Sequence, residues 1–389
     1  MKIGLVLSST PAYSETFFNA KIKGLQESGF EVVLFVQYTS PSFKLCPVYK
    51  SPKVFKNPIL QFFSMLFVLL KLVPKLKTII KFSNLERQQK TTGFELIKKI
   101  YLTAHILSQK VDWLHFGFAT QALGKELVAK AIGAKMAVSF RGFDINVYPL
   151  KHPNCYGLLW KHVAKVHTIS SFLLEKSYQL GLDRKVPFEI ITPAVDFEKI
   201  KLLKESLAPN KLQIITIARL HWIKGLGLAI EAMKLLKVNG LDFEYHIIGD
   251  GSKGDLERYK YQVYELGLQN QIIFEGELTH DKTFDLLQKC SIYIQPSVNE
   301  GFCNALLEAQ SLGKLCIATN VGGIPENIVN NKTGWLLNNF EATTLASKIL
   351  EVINLTLEEK EIISFNAMAR VKKEFNLEKQ NEQFKNFYK

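Results

Sequence analysis

Cysteine is scarce in this chain of 389 residues, and spacing does not pair what there is. Cys46, Cys155, Cys290, Cys303 and Cys316 are odd in number and contain no C-x-x-C, which argues for reduced thiols and against a disulfide frame or a zinc site. Long apolar runs are lacking too. The most hydrophobic stretch, Ile59–Val73, has fifteen residues interrupted by Gln61, Ser64 and Lys71, whereas a spanning helix needs about 20 apolar residues. No Arg-rich leader or signal-peptide pattern is seen, since Ile3–Leu7 reads as a strand directly after Met1–Lys2. A cytoplasmic location is therefore expected, with room for peripheral attachment to the inner face of the cell membrane. The first strand-to-helix loop lacks G-x-G-x-x-G, which argues against a dehydrogenase. No nucleic-acid-binding module of the usual kinds is recognisable, so nucleic acid is not an expected partner.

Acidic residues are sparse in the first half only. Residues 1–195 carry 26 Lys and Arg against 11 Asp and Glu, or +15, while residues 196–389 carry 23 against 25, or −2. Such asymmetry predicts an anionic partner for the first half, a membrane surface or a lipid-linked acceptor. Ile59–Val73 has two readings: a buried helix, which is the first expectation, or an interfacial helix helped by Lys71, Lys75, Lys77 and Lys81. The length and the 47% hydrophobic content suit two α/β domains of similar size. These are placed at 1–195 and 196–374, with 375–389, rich in Phe375, Phe384, Phe387 and Tyr388, packing back on the first.

The stretch Ile292–Glu326 organises the chain. Ile292–Gln295 reads as a buried strand, Pro296–Asn299 breaks it, and Phe302, Ala305, Leu306, Ala309 and Leu312 recur at helical spacing up to Gly313. Leu315–Thr319 is the next strand. In such parallel strand–loop–helix units ligands gather at the carboxyl ends of the strands. Glu300 and Glu308 stand eight residues apart, which at 3.6 residues per turn returns to nearly the same face. The amides near Gly301, Phe302, Cys303 and Asn304 suit an anion such as phosphate. A carboxylate two turns on suits sugar or ribose hydroxyls. Two glutamates at this spacing are, taken alone, also what a solvated helix face shows.

The phrase Glu300-Gly-Phe-x-Asn-Ala-x-x-Glu308-Ala, with Val321-Gly-Gly-Ile-Pro-Glu326 after it, resembles the signature of the retaining GT-B glycosyltransferases of family 4, the Glu-x7-Glu family. The resemblance extends to Ala218-Arg219-Leu-His-Trp-Ile-Lys224-Gly225, similar to a Gly-Arg-Leu-x-x-x-Lys-Gly loop whose arginine and lysine grip the donor diphosphate. Read from the residues alone, that basic pair also fits a solvated loop. Gly249-Asp250-Gly251 is a turn that admits a ligand, or an ordinary turn. Ser14-Glu15-Thr16-Phe17 resembles enzymes of exopolysaccharide clusters, including the colanic-acid type, and places Ser14 and Glu15 on the acceptor side. Phe140-Arg141-Gly142-Phe143-Asp144 stands where much of the family has His-Gly-x-Asp. An arginine cannot shuttle a proton near neutral pH, so Arg141 and Asp144 are assigned to acceptor or phosphate binding, or to a salt bridge with each other. His115 reads as a satisfied strand-end histidine.

The resemblance implies a GT-B fold, two Rossmann-like domains with parallel sheets facing a central cleft. It also implies sugar transfer from a UDP- or GDP-sugar to a glycan or lipid-linked acceptor in cell-surface polysaccharide assembly. Glu300, Arg219 and Lys224 carry the catalytic roles; Glu308, Gly301, Phe302, Cys303, Asn304, Gly249 and Gly251 hold the donor. No Asp-x-Asp occurs, and neither metal nor cofactor is expected. The alternatives are a non-catalytic sugar-nucleotide-binding assembly subunit docked on membranes, or another GT-B enzyme such as a nucleotide-sugar epimerase or a phosphorylase.

Overall fold

A computed structural model describes residues 1–11, 16–200 and 211–389. It divides into two compact units, Met1–Ile191 with Asn381–Lys389, and Thr192–Gln380. Each is built on a parallel sheet whose central strands are largely buried, with apolar runs such as Val32–Val36 and Ile292–Ile294. The first sheet contains β1 (Lys2–Val6), β2 (Glu31–Val36), β3 (Val48–Lys50), β4 (Trp113–Phe116), β5 (Lys135–Phe140), β6 (Lys165–Thr168) and β7 (Phe188–Ile190). Their order is β3-β2-β1-β4-β5-β6-β7. The second contains β8 (Leu212–Ile217), β9 (Phe243–Ile248), β10 (Ile272–Gly276), β11 (Ile292–Gln295), β12 (Leu315–Thr319) and β13 (Trp335–Leu337), ordered β10-β9-β8-β11-β12-β13. The order reverses between β1 and β4 in one sheet and between β8 and β11 in the other. Connections leave to opposite sides at such a point, which opens a crevice at the strands' carboxyl ends.

The last helix, Leu377–Tyr388, delivers Phe384, Phe387 and Tyr388 into the core of the first unit. Trp113 Nε1 donates to the Tyr388 carbonyl at 3.0 Å, and Lys165 Nζ to the Phe387 carbonyl at 2.8 Å. Phe375, expected to travel with them, instead packs on Phe302 of the second unit, ring centroids 5.8 Å apart.

After β4 come two short helices, Ala119–Ala122 and Val128–Ile132, separated where Gly124 adopts φ +73°. One expectation needs correction. The core reading of Ile59–Val73 is wrong: the helix Pro58–Lys71 buries none of its residues. Its two uncharged polar side chains face the protein. Gln61 Oε1 accepts from the Phe55 amide at 2.8 Å and Ser64 Oγ lies 2.7 Å from the Tyr101 hydroxyl on the neighbouring helix Gly93–Leu107. A helix apolar around its whole circumference has more apolar surface than one neighbour can cover. Among the described residues no single helix is long and apolar enough to cross a membrane.

Candidate active site

The switch point of the second sheet brings together the two loops singled out from the sequence. One leaves β8 and carries Arg219 and Lys224; the other leaves β11 and carries Glu300. They are sewn to each other by main-chain contacts: the Val298 amide donates to the Ile223 carbonyl at 2.8 Å. At Gly225, with φ +65°, the approach is so close that a Cβ would overlap the Pro296 carbonyl oxygen. Only glycine fits there.

Glu300 is the centre of this arrangement. It is buried, and its Oε1 accepts from Lys224 Nζ in an ion pair, from Ser297 Oγ at 3.1 Å and from Gln295 Nε2 at 3.4 Å. Tyr293, one strand position pair earlier, donates its hydroxyl to Gln295 Oε1 at 2.5 Å and so fixes the amide's orientation. All these bonds fall on one carboxylate oxygen, which leaves Oε2 as an acceptor for a substrate hydroxyl. From behind, Gly322 (φ +55°) lies so close that a Cβ would overlap the Glu300 carbonyl, and the Gly323 amide donates to that carbonyl at 2.9 Å. The Val321–Glu326 phrase thus braces Glu300. Arg219, on the other loop, is exposed and has no hydrogen bond or ion pair among the described residues. It is an exposed cation on the loop after β8.

The helix after β11 runs Asn304–Ser311, two residues shorter at its start than its apolar spacing suggests, because Cys303 is locked outside it. The Asn327 side chain clamps Cys303 at both ends of its peptide, Oδ1 accepting from its amide and Nδ2 donating to its carbonyl, each at 3.1 Å. Arg370 in turn holds the Glu326 and Asn327 carbonyls at 2.8 and 2.5 Å. No side chain caps the helix start, so Asn304 and its neighbours present a positive dipole end. Burial pushes the Cys303 thiol up to about 12, with Glu300 adding to the effect, so it is no nucleophile. Glu308 is half-buried on the same helix, with His280 Nε2 3.8 Å from its Oε1. The roles of Gln295, Ser297, Asn327 and His280 escaped the sequence reading; isolated polar residues carry no periodic signal.

Gly249 and Gly251 allow a close approach of two loops. A Cβ on Gly249 (φ +134°) would overlap the Ala218 carbonyl, and one on Gly251 the Leu220 carbonyl. The Leu220 amide also donates to the Asp250 carbonyl at 2.9 Å. Residues Gly249 to Gly254 spell G-x-G-x-x-G, yet the third glycine has nothing within 4 Å of its Cβ position. The glycines let the β9 loop lie against the β8 loop and so fix the stem that carries Arg219.

The switch point of the first sheet has its own cavity, of about 470 Å³, lined among others by Ser8, Gln37, Lys98, His105, Gln121 and Lys125. Gln121 Nε2 donates to Ser8 Oγ at 3.0 Å. Ser14 and Glu15 lie outside the described residues. Asp144 is fully buried and uses both oxygens on main-chain amides, Oδ1 on Arg141 and Gly142 at 3.0 and 2.9 Å and Oδ2 on Ala119 at 3.1 Å. It positions the loop. Arg141 lays its guanidinium over the rings of Phe17 and Phe18, 3.8 and 4.5 Å from their centroids.

Beneath Arg141 a polar chain crosses the core. His167 Nε2 donates to the Ile191 carbonyl at 3.0 Å, so its Nδ1 accepts from the Ser139 hydroxyl at 2.7 Å. Ser139 Oγ therefore accepts from His115 Nε2 at 2.8 Å, and His115 Nδ1 accepts from the Tyr388 hydroxyl at 2.5 Å. Burial, reinforced by Lys21 and Arg141, holds both histidines well below their ordinary value; burial and Lys125 bring His105 to about 4. A histidine so shifted binds fewer protons folded than unfolded. Its contribution to stability is complete above about pH 6.5 and falls by about 1.4 kcal/mol per pH unit below that, down to the folded value. Glu126 and Asp144, raised by burial, act in the opposite sense at lower pH. The expected outcome is a melting temperature that declines from pH 6.5 to pH 5, with the decline reduced in His105→Gln; a flat profile over that range would contradict the buried neutral histidines.

Residues 198–370 match the family Glycosyl transferases group 1. The chain is 30% identical over 274 residues to the amylovoran biosynthesis glycosyltransferase AmsK of Erwinia amylovora, covering 68% of this chain and 66% of that one. It is 28% identical over 271 residues to WcaL of Escherichia coli, named for colanic acid biosynthesis, covering 67% and 66%. The aligned stretches thus span just under two thirds of these relatives' length. Among solved structures, Anabaena HepE in complex with UDP-glucose matches with a TM-score of 0.73 at 18% identity, over 99% of this chain and 98% of that one.

Proposed function

We propose, for a chain that carries a group 1 glycosyltransferase domain on a GT-B fold, transfer of a sugar from a UDP- or GDP-sugar to a glycan or lipid-linked acceptor in cell-surface polysaccharide assembly, with retention of anomeric configuration as in family 4. The observation that carries this reading is the largely buried Lys224–Glu300 pair at the second sheet's switch point, together with an uncapped helix start and the exposed Arg219. Arg219, Lys224 and the amides of Gly301, Phe302 and Asn304 neutralise the departing diphosphate. Each well-placed donor contributes about 2.7–4 kcal/mol to the transition state. Glu300 orients the sugar hydroxyls through Oε2 and Glu308 receives the ribose. The acceptor hydroxyl attacks the anomeric carbon on the face that the diphosphate leaves; the C–O bond to phosphate breaks and the departing phosphate oxygen takes the acceptor's proton. Among the described residues no three His, Cys, Asp or Glu side chains form a metal-binding group, and the mechanism assigns charge balance to protein groups. The cavity of the first unit, with Lys98 and Lys125, receives the acceptor.

The test is a thermal-shift screen against UDP-, GDP-, ADP- and dTDP-sugars. A donor at a hundred times its dissociation constant adds about 2.7 kcal/mol to stability. Stabilisation by the UDP or GDP class, lost in Glu308→Ala and Arg219→Ala, is expected. No shift with any donor would sink the donor-site assignment and leave the non-catalytic assembly subunit as the better reading.

A further inference from the structure

We propose that the bent helix pair Pro58–Lys71 and Val73–Gln88 docks this chain on an anionic lipid bilayer, lying in the interface with a phenylalanine-rich face among the acyl chains and lysines at the headgroups. The first helix is inside out. Its two uncharged polar side chains, Gln61 and Ser64, bond inward to Phe55 and Tyr101, while Ile59, Phe62, Phe63, Phe67 and Leu70 stand outward, each 58–65% exposed. Single exposed apolar residues are ordinary, but a contiguous outward face of this kind marks a surface that something covers.

Length and charge say what covers it. Fourteen residues make a helix of about 21 Å, short of the roughly 30 Å hydrocarbon core. The chain then bends by 54° at Leu72–Val73 instead of continuing across. The exposed Lys71, Lys75, Lys77 and Lys81 follow at and after the bend, which suits the headgroup level and not a spanning path. Lys71 Nζ lies 4.2 Å above the Phe67 ring, its stem along the apolar face and its charge at the edge. The one acidic residue of the pair, Glu86, is buried and bound to Lys99 at 2.7 Å, so no carboxylate opposes an anionic surface. A second copy of the chain would bring the same lysines and the same +15 half against this face.

The experiment is co-sedimentation of the full chain with vesicles of phosphatidylcholine, alone or with phosphatidylglycerol. The wild type is expected to bind the anionic vesicles about ten-fold or more in excess of the neutral ones at low salt. The triple variant Phe62→Ser/Phe63→Ser/Phe67→Ser loses binding to both, and Lys75→Gln/Lys77→Gln/Lys81→Gln loses the anionic preference. These side chains touch no core, so both variants keep the wild-type melting temperature. In Phe63→Trp the indole emission moves to the blue on anionic vesicles. The proposal is overturned if the wild type ignores both kinds of vesicle, if the phenylalanine variant binds as well as the wild type, or if the chain is instead a dimer that the same variant dissociates. None of these readouts depends on sugar transfer.

Discussion

Lys224→Met is expected to lower kcat about a hundred- to a thousand-fold, the effect of removing one well-placed charge donor from a transition state. The same change strips Glu300 of its partner where the two side chains are only 17% and 10% exposed. Breaking a buried pair by removing one member costs about 3–5 kcal/mol, because the remaining charge stays desolvated. For a unit of this size that lowers the melting temperature by roughly 6–20 °C. The two consequences separate in the double variant Lys224→Met/Glu300→Gln. With no charge left to strand, and with the glutamine amide still able to meet Ser297 and Gln295, the melting temperature should return to within a few degrees of the wild type while activity stays lost. A double variant as unstable as the single one would show that the pair is not what holds these loops together.

Gly225→Ala is the second large effect. At φ +65° any other residue is strained by about 1–3 kcal/mol, and here the new methyl would also overlap the Pro296 carbonyl, which is backbone and cannot swing aside. A loss of about 3 kcal/mol, or roughly 6–12 °C, is expected, together with reduced activity as Lys224 is carried away from Glu300. Gly254→Ala is the matched control. Its Cβ position is open, its φ is not positive, and it lies in the first turn of the helix Lys253–Glu265, so a neutral to slightly stabilising change is expected in differential scanning calorimetry. Equal losses at both positions would contradict the close approach of the two loops.

The loops after β8 and β11 were legible because their signals are local. Within 35 residues, Ile292–Glu326 contains a strand, a break, a helical period and a stop, and the structure places these within two residues of where the pattern does. What was hidden is what depends on distant chain. His115, Ser139, His167 and Tyr388 come from separate strands and the last helix, up to 273 residues apart, and each alone is an unremarkable polar residue. The role of Gly249 and Gly251 was hidden for the same reason, as the atoms they approach belong to the neighbouring β8 loop. Ile59–Val73 failed differently. Hydropathy reports how apolar a helix is, not which way it faces, and only the inward bonds of Gln61 and Ser64 show that its apolar side looks out.

The central claim is that the Lys224–Glu300 crevice holds a nucleotide sugar and releases its diphosphate. It is tested most directly by following nucleoside-diphosphate release from whichever donor stabilises the chain, with lipid extract as acceptor, in the wild type and in Lys224→Met/Glu300→Gln. Turnover by the wild type is expected, with a loss of about a hundred-fold or more in a double variant that melts like it. Equal release by the two proteins would place the chemistry elsewhere.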